Sequence, residues 1–195
     1  TKLVMIFPRI KSPSLWSWAM KFSHWPGCWA GVVGARVRSW GGNLSRGEHD
    51  VFVVEADEYD RSFLRLHPSE SIITAMDPDH LDIYGDADHF REGFELYAGL
   101  HPEQGVVVQK QGLNLQTVAK TITYGINEPE ADYCGLNVRV ENEKYLFDVR
   151  TPSGKWDAVE LGIPGIHNAE NAIACIALCQ FLGLDETTIR SGLKT

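Results

Sequence analysis

Apolar and polar positions are unevenly ordered along this 195-residue chain. The first 33 residues show neither strand alternation nor a helical stripe, and Pro8, Pro13 and Pro26 interrupt any long element there. From Val51 the pattern sharpens. Val51-Phe52-Val53-Val54 is a continuous apolar run, the mark of a strand covered on both faces, and it ends in Glu55-Ala56-Asp57-Glu58-Tyr59-Asp60. Ser71 to Met76 repeats the arrangement and ends in Asp77-Pro78-Asp79-His80. The spacing of Phe90, Phe94, Leu96, Tyr97 and Leu100 predicts a helix over 86–100, with Asp86 placed to cap its first turn. Gly105 to Gln109 and Thr121 to Tyr124 read as two further buried strands.

Beyond Tyr133 the period changes. Tyr133 to Val140, Lys144 to Arg150 and Lys155 to Leu161 alternate apolar with polar residues and are separated by turn signals, which predicts an antiparallel meander with one wet face. His167 to Leu182 is a strongly apolar helix stopped by Gly183, and a short amphipathic helix starts at Asp185. Strands alternating with helices, then a meander, then helices predict an α/β fold: a mainly parallel sheet flanked by helices, with a small antiparallel annex.

Composition changes this picture at one end only. The net charge is −8, but Thr1 to Gly47 holds seven basic residues, no acidic one and five of the six tryptophans. Residues 1–33 therefore stand apart as an aberrant or unassigned segment, and 34–195 form the domain proper. No apolar stretch approaches the roughly 20 residues that cross a bilayer, so the expectation is a cytoplasmic protein without a membrane partner. The basic, aromatic opening lacks any nucleic-acid-binding module, and no nucleic-acid partner is expected. Cys28, Cys134, Cys175 and Cys179 lack zinc-ligand spacing and read as reduced core thiols.

The candidate chemistry lies where the strands end. In open parallel sheets ligands bind beyond the carboxyl ends, so Glu55 to Asp60 and Asp77 to Asp82 should face one crevice. Crowded carboxylates and an imidazole suit Mg²⁺ carried by a nucleotide; taken alone, such runs are more often a solvated edge. Gly165 precedes the apolar helix, so His167 and Asn168 fall at its positive end, and Asn168 and Asn171 share one face. A carboxamide pairs a donor with an acceptor and can read the N6 and N7 edge of adenine, although an isolated Asn there more often caps the helix.

Three runs in this order, EADEYDRSFL from Glu55, ITAMDPDHLDIYG from Ile73 and GIHNAENA from Gly165, closely resemble the middle domain of the Mur ligases. The likeness runs from about Gly34 to the C-terminus. It implies a P-loop NTPase-like fold and ATP-dependent amide-bond formation in peptidoglycan precursor synthesis. Within the family the DHLDIYG stretch is more similar to the branch that adds L-alanine to UDP-N-acetylmuramate through an acyl phosphate than to the branch that reattaches recycled murein tripeptide. The resemblance further implies that Glu55 and His80 hold Mg²⁺ ions at the γ phosphate and substrate carboxylate, that His167, Asn168 and Asn171 hold the adenine, and that Arg61 could meet substrate anions. UDP-N-acetylmuramate and L-alanine would be held by outer domains of the family that these residues do not resemble. The family's glycine-rich GTHGKT/S motif, whose amides cradle phosphate, has no counterpart in this sequence. A nucleotide-binding chain without turnover is therefore the alternative expectation.

Overall fold

The computed structural model describes residues 3–6, 30–37, 41–45, 52–56, 58–78 and 81–194. Among them are ten strands: β1 (Leu3–Ile6), β2 (Ala30–Val37), β3 (Gly42–Ser45), β4 (Phe52–Ala56), β5 (Glu70–Ile73), β6 (Val106–Lys110), β7 (Lys120–Ile126), β8 (Tyr133–Glu141), β9 (Lys144–Thr151) and β10 (Gly154–Leu161). The helices are α1 (Leu81–Tyr84), α2 (Ala87–Ala98), α3 (Ile166–Phe181) and α4 (Glu186–Lys194), with a 3-10 segment over Tyr59–Arg65.

All ten strands join one sheet in the order β10-β9-β8-β7-β6-β5-β1-β4-β2-β3. The neighbours from β8 to β2 are parallel. The remaining neighbours, β2–β3, β8–β9 and β9–β10, are antiparallel. The chain lays β2 and β4 on one side of β1, then β5 to β8 on the other. β1 is thus the switch point, flanked by β4 and β5, and the crevice beyond its carboxyl end is where such a sheet binds ligands.

The continuous apolar runs follow from covering both faces, since successive side chains of a strand point oppositely. Ile72, Val106 and Val108 face α3 in one core cluster, while Ile73 and Val107 face α2 in the other. Burying each such aliphatic side chain contributes about 2 kcal/mol. Asp86 caps α2 as expected, its Oδ1 accepting from the His89 N–H at 2.9 Å. Phe90, Phe94 and Tyr97 form the buried face of α2, but Leu96 and Leu100 are 51% and 40% exposed; they lie off that face, so the predicted stripe was too wide. β8 passes so close to α3 that a Cβ on Gly135 would collide with Cδ1 of Ile173.

The antiparallel annex is present in β8–β10, and it is joined to the main sheet, because Tyr124, Gly125 and Ile126 pair in parallel with Tyr133, Cys134 and Gly135. Within the segment 1–33, Leu3–Ile6 forms β1, and the first residues of β2 fall there too. One expectation changes: β9 keeps no wet face, because Leu146, Phe147, Asp148 and Val149 are buried in succession. Cys134, Cys175 and Cys179 are buried free thiols, and burial pushes Cys175 up to about 12, which keeps it protonated and inert. Cys28 lies outside the described residues.

Candidate functional site

β4 carries Glu55 to its carboxyl end, in register with Met5 of β1, and leaves it half-buried. The chain then turns through Glu58, itself buried, into the 3-10 segment. Asp60 and Arg61 there adopt φ values of 54° and 52°, a left-handed conformation that costs about 1 to 2 kcal/mol per non-glycine residue and concentrates at functional turns. The Arg61 guanidinium stacks 5.0 Å from the centroid of the Tyr84 ring. The Tyr84 hydroxyl donates to the Glu58 carbonyl at 2.6 Å. Thr74 to Pro78 extend beyond β5, becoming exposed at Asp77 and Pro78. Asp57, Asp79 and His80 lie outside the described residues.

The second part of the site is the start of α3. Gly165, with φ 126°, rather than Asn168, is the residue before the first turn. A side chain at 165 would be strained in that conformation and would press on the Asn168 amide, 3.2 Å from its would-be Cβ. Asn168 is held from both ends: its N–H donates to the Gly165 carbonyl at 3.0 Å and its Nδ2 to the Pro164 carbonyl at 2.6 Å. That bond settles which amide atom is nitrogen and leaves Oδ1 buried with no hydrogen-bond partner; Nδ2 of Asn171 is buried and unpartnered too. The two residues are 7% and 4% exposed. Each such orphan costs about 1 to 3 kcal/mol in the free protein. An acceptor and a donor, three residues apart on one helical face, complement a planar group that presents a donor beside an acceptor. His167 stands exposed beside them.

Lys110, at the carboxyl end of β6, pairs with Glu170 of α3 at 2.9 Å. This contact fixes the start of α3 on the same edge of the sheet as Glu55. Tyr124, the β7 neighbour of Lys110, is buried with its hydroxyl unpartnered; burial foremost, and then the nearby Glu170 charge, push its pKa well above the ordinary phenol value. Lys110, Glu170 and Tyr84 were not among the residues expected at the site. For Tyr84 a signal existed: Gly93 lies mid-helix in α2, where glycine is costly, and a Cβ there would come 3.1 Å from Cε1 of Tyr84.

Among the described residues no three His, Cys, Asp or Glu side chains converge as a metal cage. No described helix is long and apolar enough to cross a membrane. A cleft of about 520 Å³, lined by Lys120, Asp132, Ser153 and Phe181 among others, opens beside the start of β7 and contains none of the predicted site residues.

Comparison with known proteins points to one family. Residues 37–179 match the profile of the Mur ligase middle domain. The UDP-N-acetylmuramate–L-alanine ligase of Salinibacter ruber is 39% identical over 170 residues, which cover 84% of this chain and 36% of that protein. The chain spans about a third of the length of the curated relatives it matches. Among solved structures, the UDP-N-acetylmuramate–alanine ligase MurC from Thermotoga maritima superposes with a TM-score of 0.81 at 23% identity, over 99% of this chain and 44% of that one. The MurF ligase from Thermotoga maritima, solved in complex with ADP, gives 0.70 at 12% identity, over 98% of this chain and 48% of that one. The shared fold is the mainly parallel sheet flanked by helices described above.

Proposed function

The chain belongs to the Mur ligase family, and on that basis we propose that it is the nucleotide- and metal-binding core of an ATP-dependent ligase that joins L-alanine to UDP-N-acetylmuramate in cytoplasmic peptidoglycan precursor synthesis. The observation that carries the nucleotide part is the orphaned amide pair. Adenine N6 would donate to Oδ1 of Asn168 and N7 would accept from Nδ2 of Asn171, satisfying both buried atoms at once. His167 flanks the base from its exposed position at the first turn.

Glu55 and His80 are the residues that would hold Mg²⁺. Glu55 suits it as a hard oxygen donor, half-buried at the switch point, since Mg²⁺ on a nucleotide takes one or two protein ligands and fills the rest with phosphate and water. When bound, the metal neutralises phosphate and carboxylate so that the two anions approach in line, the requirement for forming an acyl phosphate for amine attack. UDP-N-acetylmuramate and L-alanine enter this reading through the names of the relatives. Nothing in the chain's own sequence supplies the GTHGKT/S phosphate cradle, which favours a second reading: nucleotide binding without turnover.

Titration calorimetry of the chain with ATP and Mg²⁺ tests the nucleotide site. Micromolar to millimolar binding that weakens at least about tenfold in Asn168→Ala supports the base assignment. Unchanged affinity in an Asn168→Ala, Asn171→Ala double variant overturns it. A separate assay with ATP, UDP-N-acetylmuramate and L-alanine decides turnover: phosphate release that requires all three would overturn the non-turnover reading, and its absence would favour it.

A further inference from the structure

We propose that Tyr84 is a positioning residue that locks together the two acidic loops of the site, and that Arg61 serves this lock. The inference rests on the reading of Glu55 and His80 as the Mg²⁺ residues. Glu55 and Glu58 belong to the loop after β4, while Tyr84 ends α1, the turn that begins at Leu81, directly after His80. The Tyr84 hydroxyl donates across this gap to the Glu58 carbonyl at 2.6 Å, in the interior. One hydrogen bond therefore ties the loop that follows Glu55 to α1, the element that begins directly after His80 in sequence.

The ring is held on its other sides. Phe90 meets it edge-on with centroids 4.9 Å apart. Gly93 makes room for Cε1, where a Cβ would come within 3.1 Å. The Arg61 guanidinium covers the ring at 5.0 Å, reaching it from the left-handed turn that Asp60 and Arg61 form. That strain is the cost of aiming Arg61 at the ring, and the stacking recovers about 0.5 to 2 kcal/mol. The arrangement supports a positioning part for Arg61 over direct contact with substrate anions. A ring this fully braced fixes α1 against the loop after β4, and a metal ligand adjoining α1 in sequence would be only as well placed as that contact.

The test uses Mn²⁺ as a paramagnetic stand-in for Mg²⁺ and follows its binding to the chain, with ATP present, by electron paramagnetic resonance. Tyr84→Phe keeps the ring and deletes the hydroxyl. The control is Tyr97→Phe, which deletes another buried hydroxyl, the one bonded to Ser71 at 2.8 Å near the opposite end of β5. The expected result is Mn²⁺ affinity weakened about three- to tenfold in Tyr84→Phe, unchanged in Tyr97→Phe, with adenosine binding equal in both. Arg61→Leu, which leaves the hydroxyl in place, should shift Mn²⁺ affinity the same way by a smaller factor. Equal Mn²⁺ affinity in Tyr84→Phe and wild type, or equal losses in Tyr84→Phe and Tyr97→Phe, overturns the lock. Absence of Mn²⁺ binding by the wild type overturns the metal reading itself and the lock with it.

Discussion

Asp148 in the meander and the Asn168/Asn171 pair at the start of α3 are polar groups drawn equally far into the protein, with opposite hydrogen-bond accounts. Asp148 receives Nδ2 of Asn137 at 2.9 Å, the Ala158 N–H at 2.9 Å and Nη1 of Arg139 at 3.1 Å, with Nζ of Lys155 at 3.4 Å. Asn137 and Ala158 have φ of 51° and 49° and fall where the β8–β9 and β9–β10 registers shift. Two bulges thus turn their donors toward one carboxylate. Burial alone would raise the Asp148 pKa; the four donors outweigh it and hold the carboxyl well below the usual range. Asn168 and Asn171 keep one orphan each. The Asp148 donors complete a structural unit, whereas the two orphans at the start of α3 are the atoms that the proposed adenine would satisfy.

The largest effect expected from this contrast is in the meander. Asp148→Ala should cost about 3 kcal/mol in urea unfolding, because it strands two cations and two amide donors around an empty position. The sign of its pH dependence follows from the depressed pKa: the contribution is present above the ordinary carboxylate range near pH 4 and is lost as pH falls toward the folded value. Asp148→Asn should therefore flatten the acid limb of the stability curve. Asn171→Leu should do the reverse at the other site, leaving stability within about 1 kcal/mol while nucleotide affinity falls at least tenfold. A stability loss matching Asp148→Ala would break the comparison.

His101 sharpens it as an intermediate case. Its Nε2 meets the Ser71 hydroxyl at 2.7 Å and its Nδ1 faces the Ala98 carbonyl at 3.1 Å, and burial lowers its pKa from 6.5 against the pull of the Ala98 and Tyr97 backbone. A histidine held neutral contributes stability above pH 6.5 that is lost as pH falls below it. Thermal melts of His101→Gln should lose that slope, an effect smaller than that of Asp148→Ala. Smallest of all, Lys110→Met should cost a few tenths of a kcal/mol, because the Lys110 partner of Glu170 is 40% exposed.

What could be read beforehand divides along the same physical line. β4, β5, β6, α2 and α3 were legible because each is decided by its own burial pattern, and Asp86 because a cap is a local bond. β1 was not, since Leu3 to Ile6, although followed by Pro8, heads a stretch with no further pattern and becomes a strand by lying between β4 and β5. The join of β7 to β8 is likewise a pairing between segments, and the burial of Asp148 depends on bulges that no alternation reveals. In the site, the position of Asn168 and Asn171 was readable from spacing, whereas the capping role of Gly165 and the orphaned atoms needed the geometry. Lys110 and Glu170 lie 60 residues apart, and only the fold brings their charges together. His80 falls outside the described residues, so its place beside Glu55 stays with the proposal.

The central place of β1 has a consequence for the order of assembly. Leu3 pairs with Val53 and with Glu70, residues 50 and 67 positions further along. During synthesis β1 emerges ahead of β4 and β5 and waits, with both hydrogen-bonding edges open, for these partners, which arrive several seconds later at typical elongation rates of about 5 to 20 residues per second. Such long-range parallel pairing is slow to form and exposed to wrong association meanwhile. Refolding from denaturant should accordingly be limited by insertion of this strand, with the β8–β10 meander, whose neighbours are adjacent in sequence, already formed.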